Sequence, residues 1–520
     1  MSELNTVIHA SSRAAALPSA LDVPANLTAP SSLKIAGLLQ RVFSFPAMLA
    51  SLLVGAVFVS SRAFHVDPDL WWHVKVGDAI LTTHHWPTTD VYSFTVNGQP
   101  WLAYEWLGDV LSAAVYRLGG ICGLEALLIA LGSTVVLALY ALATICSGKS
   151  KAGCVTAGVL FLLAQVSFSL RPQMLGYLFL ILTLIALERF RQGKSAGLWC
   201  LPLLMLLWVN AHGSWIIGLG TIFVYWMSGV FDFQIGSLEV SPWTPGERRS
   251  IAAVFLLCLA AVPITPYGAR IAASPFEFAF SLPLNVKYIE EWQSMPFGIP
   301  GGKMFLALLL GTMLLQVILR FRWRLEHLAL FLFGTTMACL HVRFLLIFVP
   351  FFALFLSPVV ARWMPDYDRK KDKFALNALL MAGVIAAVIH YFPSRAALQG
   401  NVAKAFPVAA VEYLNHHPVP EPMFNNYGFG GYLVWARGPE HKVFIDGRGD
   451  VYERGGLLSD YLHISHIAPG ALAVLRSYGV QSCLVHRDEA LATLLSSSPE
   501  WQRVYTDDVS VLFVRTKPWN

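Results

Sequence analysis

The sequence predicts an α-helical polytopic membrane protein with about eleven spans and a small C-terminal α/β unit. Three observations carry that fold class. Only 13% of the 520 residues are Asp, Glu, Lys or Arg, about half the roughly 25% of soluble domains. The hydrophobic fraction is 56% and the mean hydropathy +0.57, more apolar surface than a water-soluble chain of this size could hide. Apolar runs then recur from Phe43 to about residue 391, after which shorter strand-like and helix-like segments alternate. The 37 basic and 32 acidic residues leave +5, too small a balance for a nucleic-acid partner. Seven cysteines include no Cys-x-x-Cys pair and sit mostly in apolar runs, so neither a disulfide framework nor a zinc site is expected.

Residues 1–42 are rich in Ser, Ala and Pro and read as a flexible cytoplasmic tail without the layout of a cleavable signal peptide. Residues 43–392 read as the transmembrane domain. Its runs lie near 43–61, 121–146, 152–170, 173–190, 197–211, 214–231, 250–265, 303–320, 326–341, 343–361 and 374–391. Several fall short of the roughly 20 residues of a straight span and are read as hairpin partners. Glu105 to Gly119 has an amphipathic pattern suited to lying along the membrane surface. Basic residues recur in every second loop: Lys149 and Lys151; Arg189, Arg191 and Lys194; Arg248 and Arg249; Arg320, Arg322 and Arg324; Arg362 and Arg369 to Lys373. Positive charge favours the cytoplasmic side. The N-terminus is therefore expected inside and the chain in the cell (inner) membrane. Two long loops, 62–120 and 266–302, and the unit formed by residues 393–520 are expected outside. In that unit Val411 to Leu414, Ala471 to Tyr478 and Asp488 to Leu495 read as helices, and Lys442 to Ile445, Val480 to Val485 and Ser510 to Arg515 as strands.

The first outer loop holds most of the candidate chemistry. Asp67-Pro68 is a helix-start signal, and a helix from Asp69 places Asp69, Trp72, His73 and Val76 on one face. Two readings fit Asp69: a carboxylate complementing the helix dipole, or a general base whose partial desolvation at the membrane boundary raises its pKa. His73 reads as its partner, as a phosphate ligand, or as an interfacial histidine beside Trp71 and Trp72, which would anchor the helix at headgroup level. Glu105 reads as a second acid, a metal ligand, or a helix N-terminal carboxylate. Arg171, His212, His341 and Arg343 fall at outer helix junctions. There a basic group either snorkels to headgroups or binds phosphate, for which arginine has the matching fork. Glu291 and Trp292, in the second outer loop, could grip a sugar. Asn425 to Gly428 and Asp446 to Asp450 follow probable strands, where ligands bind in α/β units, although ordinary turns explain both.

One span, a long outer loop opening with an acidic residue, many further spans and an outer C-terminal unit together resemble the GT-C superfamily of integral-membrane glycosyltransferases. The string Asp69-Leu70-Trp71-Trp72-His73-Val74-Lys75 is similar to the Asp-Pro-aromatic-aromatic run of oligosaccharyltransferases and to the Asp-Glu-x-x-Tyr run of protein O-mannosyltransferases and aminoarabinose transferases. The resemblance implies a GT-C-like fold, Asp69 in the catalytic position with Asp67 just upstream, and a polyprenyl-phosphate sugar donor. It implies a glycan, lipid or protein acceptor and a possible divalent cation. Leu70 replaces the Glu that often follows the aspartate, and the C-terminal unit has no Trp-Trp-Asp signature, which argues against sequon glycosylation. The function expected is sugar transfer to a hydroxyl by single displacement at the outer membrane face. The catalytic candidates are Asp69, His73 and Glu105; Asp67, Arg171, His212, His341, Arg343, Glu291 and Trp292 are the binding candidates. The alternatives are a transporter or flippase for a lipid-linked saccharide and a catalytically silent scaffold. Against transport stand the gathering of polar residues at one face and the lack of an evident repeat.

Overall fold

The computed structural model describes residues 31–61 and 67–517. Of the expected tail, residues 1–30 lie outside the described residues, as do 62–66 of the first outer loop. Ser31–Val42, expected as flexible, is a helix. Its Leu38, Leu39 and Val42 are exposed, while Gln40 accepts a hydrogen bond from Arg369 at 3.0 Å, an arrangement suited to a membrane surface.

Eleven apolar helices stand at the eleven apolar runs. They are Phe45–Ser61, the second part of Trp106–Ser147, Ser150–Ala164, Gln173–Arg191, Leu201–Ala211, Trp215–Ser228, Pro245–Ala261, Pro300–Leu319, Leu325–Leu340, Leu345–Ala361 and Phe374–Tyr391. In hydrocarbon a helix satisfies its own backbone polar groups, which makes it the only open-ended way across. By length and composition alone, five helices among the described residues are long and apolar enough to cross a membrane: Trp106–Ser147, Gln173–Arg191, Pro300–Leu319, Val342–Ala361 and Phe374–Tyr391. The amphipathic stretch after Glu105 is continuous with the span that follows it, and a kink at Gly120 (φ 55°, ψ −143°) turns one into the other. Glycine carries no Cβ to oppose that geometry. Leu345–Ala361, buried along nearly its whole length, packs against Leu325–Leu340, Ser150–Ala164 and Trp106–Ser147 at the bundle centre.

At the end of the bundle that carries the basic loops, a small sheet unforeseen in the sequence pairs Phe233–Ile235, Leu238–Val240 and Trp323–Arg324. Beside it Arg324 bridges Glu188 (3.1 Å) and Glu326 (2.6 Å), Arg191 reaches Glu326 (2.8 Å), and Tyr225 and His327 complete the shell of Glu188. Every charge in this buried cluster has an opposite partner, which offsets the cost of its desolvation.

The C-terminal unit is built on a four-stranded sheet in the order Met423–Asn425, Ser482–His486, Ser510–Arg515 and Trp501–Thr506. The first pair is parallel and the other two antiparallel. Lys442 to Ile445, expected as a short strand, lies outside this sheet. Val443 pairs with the first outer loop through Phe94 N–H to Val443 O (3.1 Å) and Val443 N–H to Tyr92 O (3.0 Å). On its other side the Asn425 side-chain amide serves Phe444 N–H and Ile445 O, both at 2.8 Å, in place of a neighbouring strand. The outer loop is thus part of this unit. Trp71, Trp72, Val76, Tyr92 and Trp101 join its hydrophobic core. Trp71 meets Tyr432 edge-on at 5.4 Å, so this tryptophan pair holds the C-terminal unit in place of the headgroup anchoring expected of it.

Candidate active site

The polar site is assembled by the hairpin order of the bundle. Asp67 to Glu105, Arg171, His212, Asn285 to Trp292, Arg343, and Tyr427 to Asp450 are each separated from the next by two apolar helices. Six distant stretches therefore arrive at one end of the bundle, where they line a cavity of about 1000 Å³, its open mouth included.

Local sequence sets each wall. Asp67 Oδ1 accepts the Asp69 N–H at 2.9 Å and starts the Leu70–Thr83 helix. Asp69, at the N-cap position, makes no side-chain cap bond, which leaves its carboxylate for the cavity. One helical turn on, His73 points to the same side. Gly77, a further turn along, lets this helix close onto the backbone carbonyl of Asp109; any Cβ there would collide with it. That close approach seats His73 Nδ1 at 2.6 Å from Asp109 Oδ1, both side chains almost fully buried.

Two hubs result. Arg171 is the first, holding Asp67 (2.6 Å), Asp69 (3.2 Å) and Glu291 (2.5 Å). Burial alone would lower its pKa, but the three carboxylates outweigh that and keep the guanidinium firmly charged. Burial raises Asp69 to about 6, a rise that Arg171 opposes. Glu105 is the second hub. Its Oε1 lies 3.3 Å from His212 Nε2 and its Oε2 lies 3.8 Å from His73 Nε2. Burial pushes Glu105 up to about 7 and His73 below its ordinary value, and it brings His212 down to about 3.

Arg343 occupies a different position. Its guanidinium lies over the Trp292 ring at 4.3 Å and forms no ion pair among the described residues. Trp292 is fixed in turn by His341, whose Nδ1 bonds its backbone oxygen at 2.6 Å. Arg343 also lines two neighbouring hollows. One is an apolar groove of about 1600 Å³ walled by Ile216, Ile217, Phe333, Met337 and Leu340, which shares Glu105, His212 and Trp292 with the cavity; the other, of about 1890 Å³, is bordered by Asp67, Glu290 and Glu291.

No protein-family model and no curated protein sequence matches this chain. Solved structures do. An oligosaccharyltransferase from Archaeoglobus fulgidus, crystallised with a tethered acceptor peptide, aligns over 92% of this chain and 75% of its own at TM-score 0.52 and 10% identity. ArnT from Cupriavidus metallidurans bound to undecaprenyl phosphate aligns over 93% and 98% at TM-score 0.50 and 13% identity. The chain has the GT-C fold.

Within this GT-C bundle, Asp69, His73, Glu105, Arg171, His212, Glu291, Trp292 and Arg343 all line the cavity. Asp67 stands behind Arg171 and His341 stands in the apolar groove. For the possible divalent cation, no three His, Cys, Asp or Glu are grouped to hold a metal ion among the described residues. Sequence reading missed Asp109, Trp101 and Asn285. It singled out Tyr427 and the Asp446–Asp450 loop, and Tyr427 and Gly447 to Asp450 do form a wall of the cavity. The second outer loop is tied to that wall by Glu453, which accepts the backbone N–H of Leu284 (2.7 Å) and of Asn285 (2.8 Å).

Proposed function

We propose that this protein is a glycosyltransferase that moves a sugar from a polyprenyl-phosphate donor to a hydroxyl acceptor at the outer face of the cell membrane. One observation carries the reading: a half-buried carboxylate, Asp69, faces a cavity that opens at Arg343 into an apolar groove. The prenyl chain fills the groove and the phosphate rests at Arg343, whose fork suits phosphate oxygens. The acceptor oxygen attacks the anomeric carbon from the Asp69 side and its proton passes to the carboxylate. The sugar–phosphate bond breaks with its electron pair on the departing oxygen, which inverts the configuration. Arg343 supports the charge that develops there. ArnT, alike in fold, was crystallised with undecaprenyl phosphate, in keeping with a lipid-phosphate donor. We assign residues 43–392 to the membrane domain, with the N-terminus cytoplasmic, and 393–520 to an extracytoplasmic unit that closes the acceptor side.

Arg343→Ala in nanodiscs is expected to weaken binding of a polyprenyl phosphate about 10–100-fold, the worth of one charge-assisted contact. Unchanged affinity would move the phosphate away from this junction and remove the main support for the donor class.

Gly447 offers a second test. A Cβ at this position would drive into the Asp69 carboxylate. Gly447→Ala is therefore expected to lower turnover about 10²-fold, the cost of misplacing a reacting group by an ångström, with polyprenyl-phosphate affinity unchanged. Equal turnover of variant and wild type would show that the position of Asp69 does not set the rate.

A further inference from the structure

We infer that Glu105, set between His73 and His212, is the acid that protonates the departing phosphate oxygen. This rests on the donor class proposed above and adds to it a second proton-handling group in the cavity that Asp69 lines.

The hydrogen-bond directions around Glu105 fix where its proton sits. The Ser214 backbone N–H donates to His212 Nδ1 at 3.1 Å, so that nitrogen carries no proton. The neutral ring then bears its hydrogen on Nε2, which faces Glu105 Oε1 at 3.3 Å. On the other side His73 Nδ1 lies 2.6 Å from Asp109 Oδ1, whose carboxyl burial raises well above its ordinary value, and His73 Nε2 lies 3.8 Å from Glu105 Oε2. Oε1 is thus engaged as an acceptor, and the proton of a neutral Glu105 belongs on Oε2. The 3.8 Å between Oε2 and Nε2 is too wide for a direct hydrogen bond, which leaves the proton for a third atom.

The position matches the bond that breaks. Glu105 lines both the cavity that holds Asp69 and the groove that takes the prenyl chain, beside Arg343. The groups facing it are His73, Asp109, His212, Arg171 and Arg343. Burial favours the neutral carboxyl near pH 7, and His73, also held neutral by burial, does not take its proton. In the step itself, the sugar–phosphate bond breaks, its electron pair stays on the phosphate oxygen, and the Oε2 proton moves to that oxygen. The acceptor's proton goes to Asp69. Glu105 ends as a carboxylate and Asp69 as an acid, and exchange with water resets both once products leave.

Proton uptake on binding the leaving group tests the inference. The full-length protein in nanodiscs is titrated with a short polyprenyl phosphate at pH 8 in two buffers of different ionisation enthalpy. Wild type is expected to take up about one proton per lipid, because the bound dianion draws a proton onto Glu105. Glu105→Gln is expected to bind with no uptake. Lipid binding without proton uptake by wild type, or equal uptake by Glu105→Gln, overturns the inference while leaving the donor class standing. Failure of wild type to bind the lipid at any pH brings down the proposed function and this inference together.

Discussion

Asp69→Asn is expected to lower sugar transfer by about 10²–10⁴-fold, the range spanned by loss of a general base, while the protein stays folded. Asparagine keeps the size of the side chain and an oxygen for Arg171 but offers no site for the acceptor's proton. The pH profile carries the sign. Burial raises Asp69 to about 6, above the ordinary carboxylate value, because the charged form is the one that desolvation penalises. The base works when deprotonated and the Glu105 acid when protonated, so wild-type turnover should climb through about pH 6 and fall again above about pH 7. Arg171 opposes that rise, so Arg171→Gln should move the climbing limb to higher pH. Transfer in cell membranes, assayed with radiolabelled polyprenyl-phosphate sugars, measures both effects. Turnover retained by Asp69→Asn would remove Asp69 from the chemistry.

Arg448→Ala should unfold the C-terminal unit most readily. Arg448 pairs with Asp90 at 2.7 Å and Asp446 at 2.6 Å, both fully buried, and lies over Trp101 at 4.7 Å. Removing the cation leaves two carboxylates without compensation in an apolar surround, and breaking such a buried pair costs about 3–5 kcal/mol. The expected result is a lower thermal midpoint, followed by tryptophan fluorescence in detergent. The triple variant Asp90→Asn, Asp446→Asn and Arg448→Met should recover much of the loss, because no uncompensated charge remains. An unchanged midpoint for Arg448→Ala would show that this network does not hold the unit to the outer loop.

The apolar helices were legible because hydrocarbon imposes length and hydropathy on every segment that enters it. The alternation of basic loops was enough to bring Arg171, His212 and Arg343 to one end of the bundle. Asp69 and His73 were legible together, since one helical turn separates them. What stayed hidden depended on pairing across long stretches of chain. Asp109 sits in the first turn of a helix, where a carboxylate has an ordinary dipole role. Nothing local reveals that Gly77 brings a histidine against it. The turn-like string around Arg448 gives no sign that its cation reaches Asp90 in the first outer loop. Lys442 to Ile445 was misplaced for a related reason: its apolar residues fit a sheet, but its partners are a loop and an asparagine side chain. Trp71 and Trp72 look like headgroup anchors until a second hydrophobic core is seen to enclose them.

The wall made by Gly447 to Asp450 and the Asp69 it encloses lie about 380 residues apart along the chain. A chain cut short before Gly447 would therefore keep Asp69 but leave it in a trough lacking one side, and the chamber exists only where the late segment has docked on the early one.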